Sequence, residues 1–138
     1  MISSRSIDEL DPRVAMKCQN FIAVCKDAGI DVLITSTYRD HESQDALYAQ
    51  GRTAPGKVVT NAKGGQSFHN YRLAFDFCPI VNGKPQWSDL PTFKRCGDIG
   101  ASLGLEWAGN WKGNFREYAH LQWTNGLTLK DLQAGKRP

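Results

Sequence analysis

Histidine is scarce in this chain, with three among 138 residues. There is no basic run interleaved with aromatic residues, which removes the usual signature of a nucleic-acid-binding surface. No apolar stretch is long enough to span a membrane. The four cysteines, Cys18, Cys25, Cys78 and Cys96, form no CxxC pair, which argues against a cysteine-ligated zinc site. The opening residues "MISSRSIDEL" lack the apolar segment of a secretory signal. Synthesis in the cytoplasm is therefore expected, with a separate release route for any work outside it. No repeat, linker or composition shift divides the chain, and one domain over residues 1–138 is expected. A strong excess of charge of either sign is also lacking, at a net +3. That mild excess suits an anionic surface without indicating nucleic acid. A monomer that inserts in no membrane and binds no nucleic acid is the expectation.

What is present reads as a globular chain, 41% hydrophobic and 22% charged, too apolar for disorder. Asp11-Pro12 starts a helix, with Asp11 as N-cap and Pro12 at the first helical position. Val14, Cys18, Phe21, Cys25 and Ala28 then recur on one face, where the two cysteines read as buried free thiols, and Gly29 closes the helix. "IDVLITSTYR" (30–39) is rich in β-branched residues and reads as a strand. A helix over 42–50 stops at Gly51. Residues 52–66 form a long glycine-containing loop, and loops of this length in compact domains are often functional.

"RLAFDFCPIV" (72–81) is a second strand and "NGKPQWSD" (82–89) a turn. A helix over 91–103 carries Phe93, Cys96, Ile99 and Leu103 and ends at Gly104. Residues 105–118 read as a loop around a short strand. "AHLQW" (119–123) is a strand, and a short terminal helix follows, capped by Thr128. Helices and strands mix without a strict βαβ rhythm, so the fold class is α+β with a mainly antiparallel sheet and flanking helices.

One carboxylate is out of place. Asp76 lies between Phe75 and Phe77, whose rings should face the core while Ala74, Asp76 and Cys78 point the other way. Alone, Asp76 reads as a solvated or turn-capping residue. His69 stands seven residues earlier, and a turn in "NYRLA" lets the two side chains converge. His120, sharing a strand face with Gln122, is the best third ligand, although a lone histidine there is more often a satisfied structural residue. His41 follows Arg39-Asp40 at a helix start and reads as a surface or capping residue. Glu117, three residues before His120, is either an exposed charge or a general base beside a metal. Arg39 ends its strand as either a surface ion-pair partner or a group that stabilises an oxyanion.

In this order the segments resemble a known pattern. "SFHNYRLAFD" is similar to the SxHxxGxAxD signature of the M15 zinc peptidases. These include the VanY-like D-alanyl-D-alanine carboxypeptidases and dipeptidases and the phage L-alanyl-D-glutamate endolysins. "EWAGNWKGNFREYAHLQW" resembles the family's second signature, a WGGxW stretch followed by a carboxylate, two residues and a metal-binding histidine. "STYRDHESQDALYAQGRT" resembles the arginine-containing segment upstream, ending in the LYxQGRT run of the endolysin branch. The resemblance extends over roughly residues 30–135.

The resemblance implies a small hedgehog/DD-peptidase-like α+β fold with a zinc cleft. It implies one zinc ion held by His69, Asp76 and His120, with Glu117 as catalytic base and Arg39 as oxyanion and orienting group. Ser67 matches the signature serine and would support the site by hydrogen bonding, and Gln44 and Gln122 would be supporting or substrate-contacting residues. The implied substrate is a peptidoglycan stem peptide, cut between L-alanine and D-glutamate by a phage endolysin that a holin releases into the periplasm of a Gram-negative host. The alternatives are a D-alanyl-D-alanine carboxypeptidase or dipeptidase, and a non-catalytic zinc-containing wall-binding module, a use to which Hedgehog signalling domains put this fold. Two departures stand out. Arg72 replaces the signature glycine and is strained if that position needs a positive φ. "WAGNW" has Ala108 and Asn110 where the endolysins commonly have glycine and aspartate.

Overall fold

A computed structural model of the chain describes residues 1–112 and 116–138. Helix α1 (Pro12–Asp27) starts at the predicted cap, where the Asp11 side chain accepts the Arg13 backbone N–H and Pro12 follows. Its buried face is Val14, Cys18, Phe21 and Cys25. Ala28, expected on that face, is instead an exposed C-cap, because Gly29 at a φ of +81° already turns the chain away.

Strand β1 (Asp31–Ser36) ends short of the predicted residue 39. The backbone beyond it pairs elsewhere: Thr37 N–H donates to the Ser4 carbonyl, and Ser4 N–H donates to the Tyr38 carbonyl, each at 2.8 Å. Helix α2 (His41–Ala49) begins one residue before the predicted start, with Asp40 as N-cap. His41 is therefore the first helical residue, and the capping belongs to its neighbour.

Strand β2 (Ala74–Val81) also starts later than predicted, because Arg72 adopts the left-handed conformation at φ 64° and breaks the extended run. The segment read as a turn over 82–89 contains a tight hairpin. Asn82 and Gly83 both have positive φ, at 53° and 76°, and a two-residue β3 (Lys84–Pro85) follows. Helix α3 (Leu90–Ser102) is capped by Asp89. Then come β4 (Glu106–Trp107), β5 (His120–Gln122) and α4 (Leu129–Gln133). The loop expected over 105–118 holds β4 and a 3-10 turn at Ala108–Asn110, and its residues 113–115 lie outside the described residues. Thr128 caps α4 as predicted, in a reciprocal pair with Asp131.

The strands run in the order β1-β2-β5-β4, all antiparallel, with β3 paired to the far end of β2. The architecture is the expected α+β one, and none of the described helices is long and apolar enough to cross a membrane. β2 lies inside the sheet, paired with β1 and β5, and its Phe75 and Phe77 are fully buried under the helices. Phe75 and Phe77 meet Phe21 of α1, with ring centroids 5.7 and 5.1 Å apart, and Phe77 meets Phe93 of α3 at 5.4 Å. All four cysteines are free and buried.

Two packing details place the elements that matter for function. Trp107 lies between Gly97 of α3 and Gly109, where an added Cβ would fall 2.1 and 2.2 Å from its ring. Its indole N–H donates to the Tyr118 carbonyl at 2.8 Å. That contact holds β4 against α3 and beside β5. On the other side, Arg52 staples the long loop: its guanidinium donates to the carbonyls of Tyr48 and Thr60 at 2.6 and 3.0 Å and lies 3.9 Å over the Tyr48 ring.

Candidate metal centre

The centre is built where β2 and β5 pair. Asp76 and His120 are direct partners across that ladder, so their side chains leave the sheet side by side. His69 arrives by a different route. Ser67 caps a 3-10 turn at Phe68–Tyr71, its hydroxyl accepting the His69 N–H at 3.3 Å. The left-handed Arg72 then reverses the chain into β2. This is the turn that brings residues seven apart in sequence to one place.

Three potential ligand atoms converge. His69 Nε2 is 3.1 Å from Asp76 Oδ1, and His120 Nδ1 is 3.2 Å from each of them. Among the described residues, these three form the one group of histidine, cysteine or acidic side chains arranged to hold a metal ion.

The outer nitrogens of both rings are committed. The Thr37 carbonyl accepts from His69 Nδ1 at 2.7 Å, and a carbonyl can only accept, so that nitrogen carries the proton and Nε2 turns a lone pair inward. His120 Nε2 donates to Gln122 Oε1 at 2.7 Å, which leaves Nδ1 facing inward. Both histidines are nearly fully buried. Acceptors facing one another in a buried site repel unless a cation or proton lies among them. Ligands of a tetrahedral zinc site, each about 2.1 Å from the ion, stand about 3.4 Å apart. The donor set and its spacing therefore fit a divalent zinc-like ion.

Electrostatics agree with this arrangement. Burial pushes the Asp76 carboxyl up, but when the inward nitrogens carry protons in place of a cation, the charge and hydrogen bonds of the two rings outweigh burial and hold it well below the usual carboxylate range. Burial pushes His120 down, and the bond and charge of Asp76, helped by Glu117, leave it raised.

Of the remaining predicted residues, Arg39, Ser67, Glu117 and Gln122 line a cavity of about 730 Å³ together with the three ligands. Arg39 is fixed before any substrate arrives. Its guanidinium donates to Gln44 Oε1 at 2.9 Å and Ser36 Oγ at 3.1 Å, and stands 3.9 Å from Asp76 Oδ2. Its Nε is buried with no partner among the described residues. Burial lowers its pKa while Asp76 and Glu117 oppose that, so it remains a guanidinium. Glu117 comes from the segment before β5, its carbonyl accepting the His120 N–H at 3.3 Å.

Gln44 is completely buried and does not line the cavity. It joins Arg39 to the Ala62 carbonyl of the long loop, at 2.8 Å. Of the two roles the sequence leaves open for it, support is the one its position allows. Gln122 combines a cavity position with a bond to His120, and its amide NH2 donates to Glu106 of β4. His41 stays outside the centre, exposed, with its ring 6.1 Å from that of Tyr71.

Several participants had no assigned role in the sequence reading. The Thr37 carbonyl is a backbone group and leaves no mark in a sequence. Ser36 and Glu106 are placed by strand ends and register. Trp111 lines the cavity with its ring 5.8 Å from that of His120. The second tryptophan of "WAGNW" was its available signal.

Comparison with known proteins shows the family to which the chain belongs. The VanY D-alanyl-D-alanine carboxypeptidase family matches residues 7–124. The chain is 39% identical over 129 residues to the peptidoglycan L-alanyl-D-glutamate endopeptidase CwlK of Bacillus subtilis, covering 83% of this chain and 73% of that one. Its fold is similar to that of the Serratia marcescens L-Ala D-Glu endopeptidase ChiX, with TM-score 0.64 and 16% identity over 95% of this chain and 92% of that one. It is equally similar to a VanY D,D-pentapeptidase from a VanB-type vancomycin resistance cassette, solved in complex with Zn(II), with TM-score 0.64 and 16% identity over 90% and 83% of the two chains. A matching family profile, a related curated enzyme and a shared fold lead to one conclusion: the chain belongs to the VanY family of M15 peptidases and is a peptide hydrolase.

Proposed function

We propose that this protein is a zinc-dependent endopeptidase that cuts the L-alanyl-D-glutamate bond of bacterial peptidoglycan stem peptides. The observation that carries the reading is the convergence of His69, Asp76 and His120 at 3.1–3.2 Å in the cavity that also holds Glu117 and Arg39. The choice of bond rests on the similarity to the L-alanyl-D-glutamate endopeptidase of Bacillus subtilis.

His69, Asp76 and His120 would hold one zinc ion, which supplies Lewis acidity towards a carbonyl and towards water. The chain's own groups do the rest. Glu117 takes a proton from the attacking water as the new carbon–oxygen bond forms. It returns that proton to the amine nitrogen as the carbon–nitrogen bond breaks. Arg39 orients the scissile carbonyl and stabilises the negative charge that develops on its oxygen. Because Ser36 and Gln44 already hold the guanidinium, little reorganisation is needed during the reaction. Trp111 lines the cavity beside His120, with ring centroids 5.8 Å apart.

The biological role we propose is that of a phage endolysin, synthesised in the host cytoplasm and released to the wall through a holin. Its support is the "LYAQGRT" run, similar to that of the endolysin branch, whose Arg52 fixes the loop beside the cavity. A monomer that acts without membrane insertion or nucleic acid suits this role.

The test is mass spectrometry of purified Gram-negative peptidoglycan after treatment with zinc-loaded protein. A new free amine on D-glutamate supports the reading. Release of D-alanine instead assigns carboxypeptidase activity, the other reading that the family match favours. No product from a zinc-loaded wild type points to a wall-binding module.

A further inference from the structure

The hydrogen bonds behind His120 have a direction, and their origin lies outside the catalytic cavity. Glu106 is exposed on β4, and it is the direct cross-strand partner of Gln122 on β5. Gln122 and His120 are two residues apart on one strand and so share a face. Glu106, Gln122 and His120 thus form a line from solvent to the metal centre. The links are Gln122 Nε2 to Glu106 Oε2 and His120 Nε2 to Gln122 Oε1, the latter at 2.7 Å.

Such a line can be read in only one direction. An ionised carboxylate has no proton to give, so it accepts. The group that Gln122 turns towards Glu106 must therefore be its NH2, which leaves its carbonyl oxygen for His120. A carbonyl oxygen also accepts, so His120 must keep its proton on Nε2. Nδ1 is then the nitrogen with a free lone pair, and Nδ1 is the one that faces His69 and Asp76. Without an acceptor-only group at position 106, the Gln122 amide could turn over. Its NH2 would then face His120 Nε2 and favour the proton on Nδ1, the tautomer that has no lone pair to offer a metal at this site. His69 has no need of such a device, because its outer nitrogen meets the fixed Thr37 carbonyl.

We propose that Glu106 is a positioning residue. Acting through Gln122, it sets the tautomer of His120 and so prepares the site for its cation. This inference rests on the metal-centre reading for its consequence, though not for the tautomer itself.

The variants that test it are Glu106→Gln, which keeps shape and removes the acceptor-only character, and the double swap Glu106→Gln/Gln122→Glu. In the swap, the carboxylate stands on β5 against His120 and the amide stands on β4, so the polarity of the line is restored. The first readout is nitrogen-15 NMR of the His120 ring in zinc-free protein at alkaline pH. The second is zinc affinity by competition with a chromophoric chelator, with thermal melting of the zinc-free proteins as a control for folding.

Wild type is expected to show the Nε2–H tautomer, and Glu106→Gln a mixture. Zinc affinity should fall about 10- to 100-fold in the single variant, the usual cost of losing a group that orients a ligand, and return towards wild type in the swap. A wild-type tautomer and affinity in Glu106→Gln would overturn the proposal. An impaired single variant that the swap fails to rescue would also overturn it, since a space-filling role would behave that way. If wild-type protein takes up no zinc, the metal-centre reading fails, while the tautomer comparison still decides the relay.

Discussion

Asp76 and His120 sit opposite one another on β2 and β5, with Oδ1 and Nδ1 3.2 Å apart. Without a metal, a proton on His120 holds this pair together. That proton and a cation compete for the same lone pair, and the competition gives the site a pH dependence of definite sign.

The raised His120 contributes stability to the metal-free fold that is fully present below its ordinary value of 6.5 and is lost as pH rises through its raised value. The depressed Asp76 contributes stability present above its ordinary 3.8 and lost as pH falls through its lowered value. Metal-free protein should therefore be most stable between those two ordinary values and should weaken towards alkaline pH. Zinc needs a neutral His120, so the extra stability zinc confers should grow with pH across the same range. Thermal melts with zinc and with a chelator over a pH series check this. A zinc increment independent of pH would contradict it.

Arg39 is held by Ser36 and Gln44 and does not belong to the ligand set. Arg39→Ala should bind zinc normally and lose about two orders of magnitude in kcat, the usual effect of removing one oxyanion donor. Steady-state kinetics on a stem-peptide substrate would reveal it, and an unchanged kcat would remove Arg39 from the chemistry.

Arg72 occupies a left-handed position with φ 64°, which favours glycine. Its side chain compensates by lying 3.8 Å over the Tyr38 ring and pairing with Glu9 at 2.8 Å, both near the surface. Arg72→Gly relieves backbone strain and gives up those contacts, so the net change in stability should stay within about 1 kcal/mol. Denaturant unfolding measures it. A collapse of the fold would show that the side-chain contacts outweigh the strain.

Gly97 is a packing glycine, since a Cβ there would fall 2.1 Å from the Trp107 ring. Gly97→Ala should lose about 1–3 kcal/mol through overpacking. Because β4 is held through Trp107, the loss should come with weaker zinc binding as Glu106 shifts. Unchanged melting and zinc affinity would mean that the ring moves aside freely.

Much of this was legible in the sequence because local rules dominate locally. Asp11-Pro12 and Thr128 mark helix starts through their own side chains, and the Val14–Cys18–Phe21–Cys25 stripe needs only helical periodicity. Arg39, Ser67, His69, Asp76, Glu117 and His120 all come from the M15-like motifs and line the cavity. What stayed hidden depends on tertiary pairing. β1 ends early because its continuation pairs with the N-terminal segment around Ser4. Gln44 could be read as a substrate contact or a support until its complete burial beneath Arg39 was visible. Glu106 is fourteen residues from His120 in sequence and reaches it only through the β4–β5 register.

The most direct test of the account is a pair of measurements on Glu117→Ala: zinc content by elemental mass spectrometry, and product formation from peptidoglycan. His69, Asp76 and His120 are the proposed zinc ligands, and Glu117 the proposed proton carrier. The variant should therefore hold zinc as the wild type does and release no product. Loss of zinc from the variant, or turnover at the wild-type rate, would contradict that division of labour.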